Sequence, residues 1–144
     1  MSFCPRAPSG TLVVDANILI GVVLGRSGSV LAAVGRARSL ATTDRSVEEA
    51  QGVLAGRSDL PATLIARFDA LLVAVQVIPR AVWFSAAAEA GEVLGNPQHC
   101  DAHLLALAWL LDADIWSHDR DFFGIGWACW TSRASRLALE PALD

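Results

Sequence analysis

Thr11-Leu-Val-Val-Asp15-Ala-Asn17-Ile-Leu-Ile-Gly21 reads as a short buried strand that ends on a carboxylate. Val13 and Val14 are β-branched and favour a pleated, buried strand, and Leu12 extends the apolar run. After the turn at Asp15-Ala-Asn17 the chain is too rich in Leu, Ile and Val to be a loop. An acid leaving the carboxyl end of a central strand stands where open α/β sheets hold their ligands. Asp15 is equally well placed to cap the helix that follows, because Asp is a preferred N-cap residue. What raises Asp15 above a cap is a later strand with the same ending, Asp114-Ile-Trp-Ser117, which Asp119 follows.

Between those two strands, helical and strand patterns alternate. Ile18 to Leu24 is expected as a helix broken near Gly25-Arg-Ser-Gly28, Val30 to Val34 as a short helix, and Ser39-Leu-Ala-Thr-Thr43 as a strand. Asp44 or Ser46 caps a helix that runs to Ala55 and stops at Gly56. Leu60 to Leu72 is helical, with Pro61 in the first turn where its missing N–H costs little. Val73 to Ile78 is a strand closed by Pro79, and Ala81 to Leu94 a helix ended by Gly95. Asn96-Pro97 starts another helix through the apolar Leu104 to Leu111, and Ala128-Cys-Trp-Thr131 is a fifth strand. Strands alternating with helices argue for a parallel sheet covered on both faces. The expected fold class is α/β: a three-layer α/β/α sandwich around a mostly parallel sheet of four to five strands. No repeat, low-complexity tract or linker divides the 144 residues, so residues 1–144 are expected to form a single domain. Its core spans about 11–131, with a short N-terminal lead-in and a C-terminal tail.

The formal charge of −4 excludes a binder that holds nucleic acid by bulk positive charge. All eleven basic residues are Arg, which excludes chemistry that needs a lysine but leaves bidentate contacts to phosphate available. Three cysteines, Cys4, Cys100 and Cys129, have no disulfide or zinc spacing and are expected to be buried small hydrophobes. The N-terminus lacks a secretory layout and no apolar run is long enough to span a bilayer, so the protein is expected in the cytoplasm and away from membranes. With 53% hydrophobic residues, the apolar excess is assigned to an interface: a homodimer, or a small partner covering an exposed face.

Four carboxylates stand where element ends converge. Asp15 and Asp119 leave the same edge of a parallel sheet, and close acids repel unless a cation neutralises them. Hard ions such as Mg²⁺ and Mn²⁺ want oxygen ligands and keep room for water and phosphate. Asp101 is the third. If Asn96 caps its helix, Asp101 is an interior carboxylate that needs a partner; if the helix starts at Asp101, capping explains it. The fourth is Glu48 or Glu49. At about 100° per residue, Val47, Ala50, Val53 and Leu54 define the buried stripe, with Glu49 at its edge and Glu48 nearly opposite.

The order Val-Val-Asp15-Ala-Asn17, Ser46-Val-Glu-Glu49, Asp101-Ala-His-Leu-Leu-Ala-Leu-Ala and Ile-Trp-Ser-His-Asp119-Arg-Asp-Phe resembles the PIN domain, over about 11–131. PIN domains are metal-dependent nucleases that include the toxins of many bacterial toxin–antitoxin pairs. The resemblance implies an α/β/α sandwich whose acids bind Mg²⁺ or Mn²⁺ and hydrolyse RNA phosphodiesters, with a small antitoxin protein as a partner. Position by position, the acidic set falls on Asp15, Glu49, Asp101 and Asp119, and polar helpers on Asn17 and Ser117. Asp121 matches an acid often found two residues past the last ligand, where it either supports the site or caps a helix.

Other readings compete. A receiver or haloacid-type phosphatase also places an acid after its first strand, but both rely on a lysine, and the phosphatase prefers an Asp where Asn17 stands. A PIN fold used as a non-catalytic scaffold keeps the fold and loses acids, whereas all four positions are filled here. His99 and His103 have a spacing that zinc sites use, although His103 lies among leucines. His118 is read as a surface imidazole beside Asp119. Trp116 is read as core, Trp127 and Trp130 as candidates for stacking on unpaired bases, with Trp127 the more open. Arg26, Arg36, Arg38 and Arg45 are candidates for holding a phosphate backbone or for a solvated face.

Overall fold

Five strands, β1 (Thr11–Val14), β2 (Ser39–Thr43), β3 (Gln76–Ile78), β4 (Asp114–Trp116) and β5 (Cys129–Trp130), form one sheet in the order β3-β2-β1-β4-β5. Every neighbouring pair is parallel. The computed structural model describes residues 10–25, 28–57 and 62–132. The helices are α1 (Ala16–Val23), α2 (Gly28–Ala37), α3 (Asp44–Ala55), α4 (Ala62–Ala74), α5 (Arg80–Val93) and α6 (Ala102–Leu111).

Successive side chains of a strand face opposite ways, and β1 is buried on both sides. Leu12 and Val14, with Leu40 and Trp116, pack on Ile18, Leu19, Val47, Ala50, Phe68 and Leu71 from α1, α3 and α4. Val13 and Ile115 face the other layer, Trp83 and Ala90 of α5 and Leu104 to Ala108 of α6. The result is a three-layer α/β/α sandwich with a fully parallel sheet. Helix α6 is apolar on all sides from Leu104 to Ala108 because it is covered on all sides there, while Leu110 and Leu111 of its last turn are exposed. Among the described residues no helix is long and apolar enough to cross a membrane.

The connections fix where a site can lie. The chain steps outward from β1 to β2 to β3, then crosses to the other side of β1 for β4 and β5. Strand order therefore reverses between β1 and β4, and the crevice beyond their carboxyl ends is the place where such sheets bind ligands.

Packing moved several expected boundaries. Val73 does not open a strand: α4 continues to Ala74, because Phe68, Leu71 and Val75 are buried at helical spacing while Val73 is 89% exposed. Only Gln76–Ile78 is left for β3. The long apolar helix starts at Ala102, not at Pro97; Asn96 Oδ1 instead accepts the Gln98 N–H in a turn. Neither Asp44 nor Ser46 caps α3, since Thr43 does so by accepting the Ser46 N–H at 3.0 Å. Helix α2 runs from Gly28 to Ala37, well beyond Val30–Val34. Leu60, Pro61, the lead-in and the tail lie outside the described residues.

Gly91 sits where α5 meets the following turn, and a Cβ there would lie 2.5 Å from Asn96 O and 2.7 Å from Pro97 O. Both atoms are backbone, and Asn96 N–H is already bonded to Gly91 O. Gly91→Ala is therefore expected to destabilise the fold by about 1–3 kcal/mol, the usual cost of overpacking. Urea unfolding of the two proteins checks this; an unchanged midpoint would show that the turn yields freely.

Candidate functional site

At the switch point, backbone pairing continues to the last residue: Asp15 N–H donates to Trp116 O at 3.0 Å. The Ser117 hydroxyl then takes over. It donates to Asp15 Oδ2 at 2.6 Å and accepts the Asp119 N–H at 2.9 Å. Asp15 Oδ1 accepts the Ala16 N–H, also at 2.6 Å, so this carboxylate caps α1 and faces the crevice at the same time. Burial pushes the Asp15 carboxyl up; the bonds from Ser117 and Ala16 oppose that, and the charge of Asp119 adds to it. Asn17 is exposed and contributes its backbone N–H to the same carboxylate.

Asp101, Asp119 and Asp121 each bring a carboxylate oxygen into a set lying within 4.8 Å of one another. Asp101 occupies the position before α6 yet makes no side-chain cap, so its carboxylate is free to face Asp119. Burial first, then the charge of Asp15 and the proximity of Asp119, push its carboxyl up to about 7. Asp119 Oδ1 accepts the Asp121 N–H at 2.9 Å and so starts a single 3-10 turn, Arg120–Phe122. His99 links two of the acids. Its Nδ1 accepts the Asp101 N–H at 3.1 Å, which leaves the proton on Nε2, 3.3 Å from Asp121 Oδ2.

Glu49 comes from α3, whose buried residues are Ser46, Val47, Ala50 and Leu54; Val53, expected in that stripe, is 48% exposed. Glu48 is exposed, whereas Glu49 is half-buried with Oε1 3.7 Å from Arg45 Nε and 3.9 Å from His103 Nε2. Burial and the charge of Asp15 push the Glu49 carboxyl up. The structure thus brings Asp15, Asp101, Asp119 and Asp121 to one crevice, and Glu49 to its border.

Sequence reasoning missed His103 as part of this border. Its ring is buried, Nδ1 is 2.7 Å from Thr43 Oγ1, and Nε2 has no hydrogen-bond partner. Burial pulls its pKa down to about 4, and nearby Arg45 acts in the same direction, so the imidazole is neutral at pH 7. The signal available was Thr43 three residues before Ser46, an N-cap spacing without the usual Glu at the third position. His99 lies in the turn before α6, so the two imidazoles do not share a helix face.

Other candidates fall elsewhere. His118 Nε2 is bonded to Ser132 Oγ at 2.8 Å. Trp127, expected to be open, is half-buried and donates to Ala113 O at the amino end of β4, and the Trp130 indole turns back to donate to Asp114 Oδ2, so both indole N–H groups are tied to the amino end of that strand. Arg36 donates to Ala32 O of its own helix, and Arg38 precedes β2 at the opposite sheet edge. Of the four early arginines, Arg45 lies beside the acids and Arg26 lies outside the described residues. Cys100 is exposed and Cys129 half-buried, contrary to the expectation of buried thiols, because Cys100 sits in the turn ahead of α6; Cys4 lies outside the described residues.

A family model for the PIN domain matches residues 13–140. The chain belongs to the PIN-domain family. No curated protein sequence is significantly similar to this PIN domain. Among solved structures, VapBC2 from Rickettsia felis, bound to a DNA fragment from their promoter, is similar with a TM-score of 0.69 and 14% identity, covering 84% of this chain and 98% of that one. VapBC-1 from nontypeable Haemophilus influenzae gives a TM-score of 0.65 and 17% identity, covering 85% and 98%. At such identities the likeness to these two is one of fold.

The strain among the acids has a measurable consequence. Folded, Asp101 keeps its proton to about pH 7; unfolded, it releases it near its model value of 3.8. Between those values the folded state binds more protons, so stability falls as pH rises towards 7 and is level above. His103 acts in the opposite sense, because the unfolded imidazole takes up a proton below about 6.5 and the folded one does not. Comparison with Asp101→Asn isolates the first effect. In EDTA, the variant's melting temperature should exceed wild type by a margin that widens from pH 4 to pH 7 and then holds. A constant margin would mean that its neighbours do not strain Asp101.

Proposed function

We propose that this PIN domain is a Mg²⁺- or Mn²⁺-dependent endoribonuclease, acting as the toxin of a toxin–antitoxin pair. The observation that carries the reading is the convergence of acids at the switch point, with Asp101 held near 7 by burial and by its neighbours' charge. An anionic phosphodiester approaches such a cluster only if a cation neutralises it. The donor set is oxygen alone, which suits a hard divalent ion. Asp15, Asp101, Asp119 and Glu49 would hold it. When bound, such an ion polarises a phosphoryl oxygen and lowers the pKa of water, so no side-chain nucleophile is needed.

The remaining residues orient the acids. Ser117 fixes Asp15 Oδ2, the Asp121 N–H fixes Asp119 Oδ1, and His99 positions the Asp101 backbone against Asp121. Arg45 restrains Glu49. The reaction is hydrolysis, by in-line attack of water on the phosphorus and departure of the ribose oxygen. The likeness of fold to the VapBC structures supports a small antitoxin as partner. The exposed Ile65 and Val73 of α4, and Val82 and Val93 of α5, support burial in a homodimer or under that partner. Light scattering on the isolated chain tests the homodimer.

The two adjacent glutamates give the sharpest test. Glu49→Gln should cut Mn²⁺-dependent RNA cleavage by at least about a hundredfold, roughly 3 kcal/mol of transition-state stabilisation. Glu48→Gln should change it by about two- to threefold at most, since a solvated carboxylate acts only through a screened field. Side-by-side rates on one RNA decide the matter, and an inactive Glu48→Gln would remove Glu49 from the proposed set.

The acids should also respond to the ion without turnover. Mn²⁺ should raise the wild-type melting temperature by mass action, and Asp119→Asn should lose most of that increment. An equal increment in both proteins would place the ion elsewhere.

A further inference from the structure

We propose that the groove beside the acids is a subsite for an unpaired nucleotide of the RNA next to the scissile phosphate, an inference that rests on the ribonuclease reading above. The groove, of about 640 Å³, lies between the first turns of α3, α5 and α6. That is the size range, roughly 300–1,000 Å³, of pockets that take small organic ligands. Arg45, Glu48 and Glu49 form one wall, and Glu49 also borders the acids, so the groove is continuous with the acid crevice. A nucleotide strand lying across the crevice therefore has this groove as its neighbouring compartment.

The lining has the chemistry of an unpaired base and its phosphate. Phe84 is 56% exposed, and the Arg80 guanidinium lies 4.5 Å from its ring centroid. An exposed aromatic face joined to a guanidinium offers stacking and charge together, which unpaired bases use and paired bases cannot reach. Arg45 adds a second cation at the crevice side. On the inner wall, His103 Nε2 is buried without a hydrogen-bond partner, although its ring is pinned by Thr43 and packs 5.7 Å from the Trp83 ring. A buried polar atom without a partner is costly.

The groove is held in shape before anything binds. Asp44 accepts three bonds of 2.9 Å, from Arg45 N–H, Arg80 N–H and Trp83 Nε1–H, and so locks α3 to α5. These bonds outweigh the effect of burial and hold the Asp44 carboxyl below its usual range, so the lock persists in mild acid. Arg80 and Phe84 project from that fixed helix start.

The test measures binding with Ca²⁺ in place of Mn²⁺, so that the acids are neutralised by an oxygen-seeking ion, and the RNA is checked to be intact afterwards. Anisotropy of a labelled single-stranded RNA hexamer is read against wild type, Phe84→Ala, Arg80→Ala, Phe84→Tyr and Val73→Ala, each checked for folding by circular dichroism. Phe84→Ala and Arg80→Ala should raise Kd by about tenfold or more, in line with loss of base stacking. Phe84→Tyr, which keeps the aromatic face, and Val73→Ala, on the far side of α4, should stay within about twofold. If Phe84→Ala unfolds, Arg80→Ala decides. RNA binding that neither substitution weakens overturns the proposal and leaves the groove to a peptide occupant. A wild type that binds through the groove but leaves the RNA intact with Mn²⁺ overturns the ribonuclease reading, with the subsite standing. Cleavage with groove-insensitive binding overturns the subsite alone.

Discussion

The bond from Ser117 Oγ to Asp15 Oδ2 joins the two strand ends between which the sheet reverses its order. Backbone pairing alone cannot extend further, because Asp15 already begins α1 and the chain leaves β4 after Trp116. A hydroxyl has one proton to give and two lone pairs. Ser117 spends the proton on Asp15 and a lone pair on the Asp119 N–H, so one small side chain sets the separation of two acids. A hydrogen bond to a charged oxygen is stronger than a neutral one, and here it offsets part of the cost of burying Asp15. Without that tie the two carboxylates have only repulsion between them.

The rest of the structure is arranged to tolerate that repulsion. Asp15, Asp101 and Glu49 all have their carboxyl groups pushed up, each by burial first, with the charge of a neighbouring acid adding to it. Opposing this is a core that grips the same elements from both sides. Val13 and Val14 are buried on opposite faces of β1, and α6 is enclosed from Leu104 to Ala108. Clustered acids weaken a fold and are retained where function needs them. The two facts belong together: a carboxyl group pushed up by burial, such as that of Asp15, is tolerated at a strand end because the strand beneath it is packed on both faces.

How much of this was legible depended on whether a residue announces its environment. Val13 and Val14 ahead of Asp15, and Ile115 and Trp116 ahead of Ser117, carry their buried strand character in their composition, and the parallel α/β sandwich follows from the alternation. The convergence of Asp15 with Asp119 follows from two strand endings of one kind. Val73 misled, because β-branching suggested strand while the spacing of Phe68, Leu71 and Val75 had already assigned the helix to the core. Asp101 was undecided for a different reason: it stands at the cap position without capping, a state that only the nearby acids explain. His103 was hidden by its neighbours. Set among leucines it looked structural, and nothing local points to Thr43, which lies sixty residues earlier in the chain.

The groove and the acids are parts of one edge. β3 is followed by Arg80, β2 ends at Thr43, β1 delivers Asp15, and β4 delivers Ser117 and Asp119. Adjacent strands are about 4.8 Å apart, so these residues form a row whose order is the strand order. Arg80 and Arg45 lie towards the β3 and β2 end together with Asp44 and Glu49 of α3, and Asp15 and Asp119 lie towards β1 and β4. The order of the row is set by topology and not by any single contact. On the proposed reading, an unpaired base lies against Phe84 and Arg80 at one end, and its neighbouring phosphate meets the acids at the other. The crossover that brings β4 back beside β1 thus separates the groove proposed for the unpaired nucleotide from the acids proposed to hold the metal.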